Sequence, residues 1–101
     1  MTVGHLNARL HIDVLRRDKA AWMASARAEE IDLSQWARRI LKRAPQRSAP
    51  VSVPFEGPFD DSYHMLINRD AKKLYEDEAR QQGISLAAWV RIELNAAANF
   101  Q

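Results

Sequence analysis

The chain has 101 residues, with 15 Lys/Arg, 13 Asp/Glu and no cysteine. That composition is ordinary for a soluble globular domain, contains no apolar run long enough to span a bilayer, and excludes disulfides and thiolate chemistry, so a reducing cytoplasmic setting is expected. Charge is uneven: residues 1–50 hold ten Lys/Arg against five Asp/Glu, and residues 51–101 hold five against eight, which makes the first half the expected polyanion-facing half.

The opening MTVGHLNARLHID has neither an apolar h-region nor a cleavage site, so no secretory signal is expected. Leu10-His11-Ile12-Asp13-Val14 alternates with period two and predicts a strand. Arg16–Glu30 is built of good helix formers, with a narrow apolar stripe at Ala21, Trp22 and Ala26. Asp32-Leu33-Ser34-Gln35 predicts a capping box. The helix it opens carries a stripe of Leu33, Trp36, Ala37, Ile40, Leu41 and Ala44. The basic run Arg38, Arg39, Lys42, Arg43 and Arg47 reads as the solvated side of that helix.

Residues 45–61 contain all four prolines and predict an extended connector that spans on the order of 50 Å, pinned at Phe55 and Phe59. Tyr63-His64-Met65-Leu66-Ile67 predicts a second strand, with Leu66 interrupting the alternation. Asn68 is placed to cap a helix over Arg69–Gln82 with a stripe of Ala71, Leu74, Tyr75 and Ala79. Gly83 ends it in the left-handed conformation; Glu30 stands at the equivalent place, at a cost of roughly 1–2 kcal/mol. Ser85 caps a last helix with Leu86, Trp89, Val90, Leu94 and Ala97 on one side, Glu93 breaking the stripe. The three tryptophans, Trp22, Trp36 and Trp89, are expected in the core.

These elements form a repeat. Displacing the chain by 53 residues aligns Arg9–Ala44 with Ser62–Ala97 and leaves eleven positions identical, among them His11/His64, Arg16/Arg69, Lys19/Lys72, Trp36/Trp89 and Arg38/Arg91. A copy of about 36 residues is too small to bury a core alone. The expected organisation is a first copy over 1–44, a connector over 45–61 and a second copy over 62–101.

The order strand, helix, glycine turn, capped amphipathic helix, seen twice, resembles the ribbon-helix-helix family of the MetJ/Arc/CopG type, in a tandem form similar to TraY-type proteins. The likeness rests on Arg9–Val14, Gly83, the Ile-Asp-Leu-Ser and Ile-Ser-Leu-Ala helix starts, and the Trp-Ala-Arg and Trp-Val-Arg segments. It implies a mainly α fold with a short two-stranded antiparallel ribbon, closed as an intramolecular pseudo-dimer. Leu10, Ile12, Val14, Tyr63, Met65 and Ile67 would then face inward. The resemblance also implies that the outward residues Arg9, His11, Asp13, Ser62, His64 and Leu66 read bases in a major groove. Backbone amides near Leu33-Ser34 and Leu86-Ala87 would clamp flanking phosphates.

The function so implied is a sequence-specific regulator of double-stranded DNA, a transcriptional repressor with no membrane contact. A relaxosome accessory protein, or a protein-interaction module of antitoxin or inhibitor type with its own protein partner, is the alternative on the same scaffold. A second copy bound alongside is a further expected partner. Asp13, Asp60 and Asp61 work against DNA, and Asp32 already occupies one helix N-terminus. His11 and His64 supply two of the three or more ligands a metal needs, with His5 the one other histidine, so no metal or cofactor is expected. The cluster Asp60-Asp61-Ser62 with His64 reads as a loop, and the chain as a non-enzyme.

Overall fold

The computed structural model describes residues 6–44 and 55–98. Most of the expected connector lies outside them, as do Arg47 and His5. In chain order the elements are β1 (Ala8–Val14), α1 (Arg16–Ala28), α2 (Leu33–Arg43), β2 (Asp61–Ile67), α3 (Arg69–Gln81) and α4 (Leu86–Ala98). The described chain is mainly helical, with one two-stranded antiparallel sheet. β2 takes in Asp61, which the proline pattern assigns to the connector.

Alternation along each strand decides which way the sheet faces. Leu10, Ile12, Val14, Tyr63, Met65 and Ile67 are buried, while Arg9, His11, Asp13, His64 and Leu66 are exposed. Leu66 therefore does not interrupt the pattern; it lies on the outer face. The register pairs Ala8 with Ile67 and Val14 with Asp61, which sets His11 opposite His64 at the centre. Those two residues are each other's counterparts in the repeat.

The helices cover the inner face. α1 and α2 pack on β2, whereas α3 and α4 pack on β1, so each pair rests on the strand from the other half of the sequence. One continuous core results, joining Leu10, Ile12 and Trp22 to Ile67, Tyr75 and Leu94. Trp22, Trp36 and Trp89 are at most 1% exposed, as their spacing predicts. The Trp22 indole donates to Asn95 Oδ1 at 2.8 Å, and Tyr75 stacks on Trp89 at 5.3 Å between centroids. Glu93, at the place of Ile40 in the repeat, is buried too. Two stripe residues fall outside the core: Leu74 is 51% exposed, and its counterpart Ala21 is exposed as well. The buried line runs through Trp22, Ser25 and Ala26 on α1, one residue further round the helix.

The helix ends follow local chemistry. Asp32 accepts from the Gln35 amide at 2.7 Å while Gln35 accepts from the Asp32 amide, completing the capping box. Asn68 accepts from the amides of Asp70 and Ala71. Both inner turns close in the same paired fashion: Ile31 N–H donates to Ala26 and Glu30 N–H to Arg27, then Ile84 to Ala79 and Gly83 to Arg80. This geometry forces a positive φ, 60° at Glu30 and 74° at Gly83. A Cβ on Gly83 would meet nothing within 4 Å, so the demand there is conformational rather than steric.

Replacing Glu30 by Gly relieves about 1–2 kcal/mol of left-handed strain and gives back about 0.4–1 kcal/mol to the unfolded chain. Glu30→Gly is expected to raise the melting temperature by a few degrees, and Gly83→Ala to lower it. A lower melting temperature for Glu30→Gly in a thermal scan would show that the turn is not strained.

Candidate nucleic-acid interface

The outer face of the ribbon presents three cross-strand pairs: Arg9 opposite Leu66, His11 opposite His64, and Asp13 opposite Ser62. All six are the residues expected there, and all are exposed except Ser62, which is half-buried. From Arg9 to Asp13 the strand rises roughly 13 Å, so the face has the length of about four base-pair steps. At its centre the imidazoles of His11 and His64 lie parallel, with ring centroids 4.0 Å apart.

Side chains from all four helices hold the edges of this ribbon. Lys19 Nζ donates to the Ser62 carbonyl at 3.0 Å, and its counterpart Lys72 Nζ donates to the Arg9 carbonyl at 3.0 Å. Arg38 donates to the Leu66 carbonyl at 3.1 Å, and its counterpart Arg91 to the Asp13 carbonyl at 2.8 Å. Even the outer helix starts exchange partners. The Arg16 amide donates to Asp60 Oδ1 at 2.7 Å, and the Arg69 amide to Asn7 Oδ1 at 2.9 Å. Each of these six bonds maps onto another of the set when 53 is added to the residue number in the first half and taken from the residue number in the second.

The consequence is mechanical. A free strand edge is a row of unmet carbonyls and amides that invites another strand. Here four edge carbonyls are taken by cations, one at each corner of the ribbon, and all four belong to outward-facing residues. The backbone carrying the candidate base-contacting side chains is thereby fixed in place. Arg38, expected on a solvated helix side, instead ties the halves together, and Asp60, in a bend before β2 as expected of a loop, ties them too. The signal that would have found the cations is identity between copies at polar positions.

The candidate phosphate amides occupy the first turns of α2 and α4, where N–H groups have no intrahelical acceptor. At α2 the Asp32 carboxylate takes the Gln35 amide, and Ser34 Oγ is bonded to the Tyr63 hydroxyl at 2.8 Å. Burial pushes the Tyr63 phenol above its ordinary range, the Ser34 bond opposing. At α4 the Ser85 hydroxyl takes the Ala88 amide at 3.1 Å, so that terminus carries a neutral cap beside Leu86 and Ala87. Arg91 lies next to it, its guanidinium 4.3 Å above the Phe59 ring. Phe55 meets Phe59 edge-on at 5.5 Å, which fixes the end of the connector against α4.

Charge is not shared evenly by the corners. Asp61 pairs with Lys19 at 3.6 Å. Its carboxyl is held below the usual range first by the Ser62 amide that donates to it, with desolvation opposing and Lys19 and Arg16 assisting. Beside Arg9 a cleft of about 650 Å³ is lined by Arg69, Lys72, Lys73 and Arg80 together with Glu76 and Asp77. Elsewhere Arg39 is paired with Glu29. Among the described residues no group of three or more His, Cys, Asp or Glu is placed to hold a metal ion, and no helix is long and apolar enough to cross a membrane. Compared with protein-family models, curated proteins and solved structures, the chain gives no significant match.

Removing one edge cation strands a carbonyl. Lys72→Ala is expected to cost about 1 kcal/mol in urea unfolding. Lys19→Ala is expected to cost slightly more, because its pair with Asp61 is lost as well. Unchanged midpoints for both variants would show that the corners do not hold the ribbon.

Proposed function

We propose that the chain is a tandem ribbon-helix-helix unit, folded as an intramolecular pseudo-dimer, that binds double-stranded DNA sequence-specifically and acts as a transcriptional repressor in the cytoplasm. One observation carries this reading: an antiparallel ribbon, centred on equivalent residues and braced at every corner by the opposite half, turns six side chains outward on a face no helix covers. A two-stranded ribbon fits the major groove, about 12 Å wide. There the face supplies Arg9 for a guanine edge, His11 and His64 as donors or acceptors, Asp13 for a cytosine amino group and Leu66 for a thymine methyl. The first-turn amides of α2 and α4, near Leu33-Ser34 and Leu86-Ala87, flank the ribbon and suit phosphates, which position the protein without reading sequence.

The mechanism is steric and needs no cofactor. A ribbon seated in an operator excludes polymerase from the same groove, and repression follows from occupancy. Folding both copies into one chain makes the binding unit independent of protein concentration.

The test is selection of bound sequences from a random duplex pool, followed by titration at several salt concentrations. An enriched motif is expected, with affinity falling steeply as salt rises. Arg9→Ala is expected to cost about 1–3 kcal/mol and to relax the preference at one position. Recovery of a stoichiometric protein partner with no DNA would replace this reading with an antitoxin- or inhibitor-type module on the same scaffold.

A further inference from the structure

The two ends of the ribbon are built from equivalent residues but carry opposite charge. Around the Arg9 corner, the strand and its lead-in supply Asn7, Ala8 and Arg9; the equivalent corner of the other half supplies Asp60, Asp61 and Ser62. Across the ribbon, Leu66 accompanies Arg9, whereas Asp13 accompanies Ser62. One end of the strand pair thus holds a cation and no carboxylate, and the other holds three carboxylates and no cation.

The helices place cations beside both ends, so the contrast comes from the strand ends and from Lys73. The cleft beside Arg9 adds Arg69, Lys72, Lys73 and Arg80, against Glu76 and Asp77, and Asp77 is paired with Arg80 at 2.8 Å. On α1, Arg16, Lys19 and Arg27 stand where α3 has Arg69, Lys72 and Arg80, Met23 and Ala24 where it has Glu76 and Asp77, and Ala20 where it has Lys73; Lys19 is engaged by Asp61.

We infer that this protein binds duplex DNA in a single orientation on a non-palindromic site, with the Arg9 cleft as a phosphate anchor beyond the ribbon. The inference rests on the DNA reading above and deepens it. Backbone phosphates running past the Arg9 corner meet Arg69, Lys73 and Arg80, and Arg80 exchanges Asp77 for phosphate as the duplex closes. At the opposite end Asp61 is paired with Lys19 and Asp60 faces the backbone, so contact there is confined to base edges, where Asp13 accepts from a cytosine amino group. Reversing the protein on its site would set Asp13 and Asp60 against the anchored phosphates and withdraw Arg9 and Lys73 from them. That repulsion selects one orientation.

The absence of native cysteine makes orientation directly measurable. The full chain carrying Lys73→Cys or Ala20→Cys is labelled with an iron chelate that cleaves nearby DNA, on a duplex selected from the random pool. Cleavage from position 73 is expected on one side of a non-palindromic motif and from position 20 on the other. The double variant Lys73→Ala/Arg80→Ala is expected to lower affinity about 10- to 60-fold at 0.1 M salt for every sequence alike, and to reduce the salt slope by about two. Arg9→Ala, in contrast, relaxes sequence preference.

Equal cleavage on both sides from position 73, or a palindromic motif with Lys73→Ala/Arg80→Ala binding normally, would overturn the orientation while leaving DNA binding intact. Enrichment of no duplex at all would remove both the DNA reading and this inference with it.

Discussion

The structure depends on one pairing, β1 against β2 across some fifty residues of sequence. A single seven-residue strand leaves both edges unmet and buries only one face, so neither strand is stable on its own. Pairing solves half of the problem, and the helices solve the rest in an unusual direction. α1 and α2 settle on β2, and α3 and α4 on β1. Neither copy can complete its own core, because the strand its helices need comes from the other copy. Folding is therefore a joint event of the two halves, and the outer face of the ribbon exists only once they have met.

The repeat's identities mark where this joint event leaves no choice. Trp36/Trp89, Leu41/Leu94 and Ala26/Ala79 fill equivalent core positions. Ile31/Ile84 donates the closing bond of each inner turn. Arg16/Arg69, Lys19/Lys72 and Arg38/Arg91 make the six bonds between halves. The outward strand positions are held to nothing comparable, and apart from the central histidines they have diverged completely: Arg9 faces Ser62 in the alignment, and Asp13 faces Leu66. Constraint sits in the clasp, and freedom sits on the exposed face.

Much of this was legible in the residues and some was not. Period-two alternation marks β1 plainly and β2 up to Leu66, and Asp32, Asn68 and Gly83 mark helix boundaries, because each of those signals is local. On α1 and α3 the expected stripes hold at Trp22, Ala26, Tyr75 and Ala79 but not at Ala21 and Leu74, since a short amphipathic helix offers two neighbouring apolar lines and only packing selects between them. Asp60 and Asn7 gave no sign that they accept from amides more than 40 residues away. Net charge by halves was also uninformative. The basic cleft joins Arg9 of the basic half to α3 of the acidic half, because the strand exchange puts pieces of both copies at every corner.

That mixing bears on why two copies occupy one chain. In a dimer of identical chains, any residue at the Arg9 corner recurs at the opposite corner, so a cation there is a cation twice and a carboxylate is a carboxylate twice. Such a surface is forced to be symmetric, and its ligand is best matched by an inverted repeat. Two copies in one chain are free of that constraint, and here Ser62 stands opposite Arg9 in the repeat and Ala20 opposite Lys73. Retained bonds at the clasp with opposed charges at the ends are the pattern expected when the shared fold is held fixed and the two ends are tuned separately. A simple loss of function in one half would erode the clasp and the face together, yet the second half keeps its caps, its core tryptophan and all three of its bonds to the first.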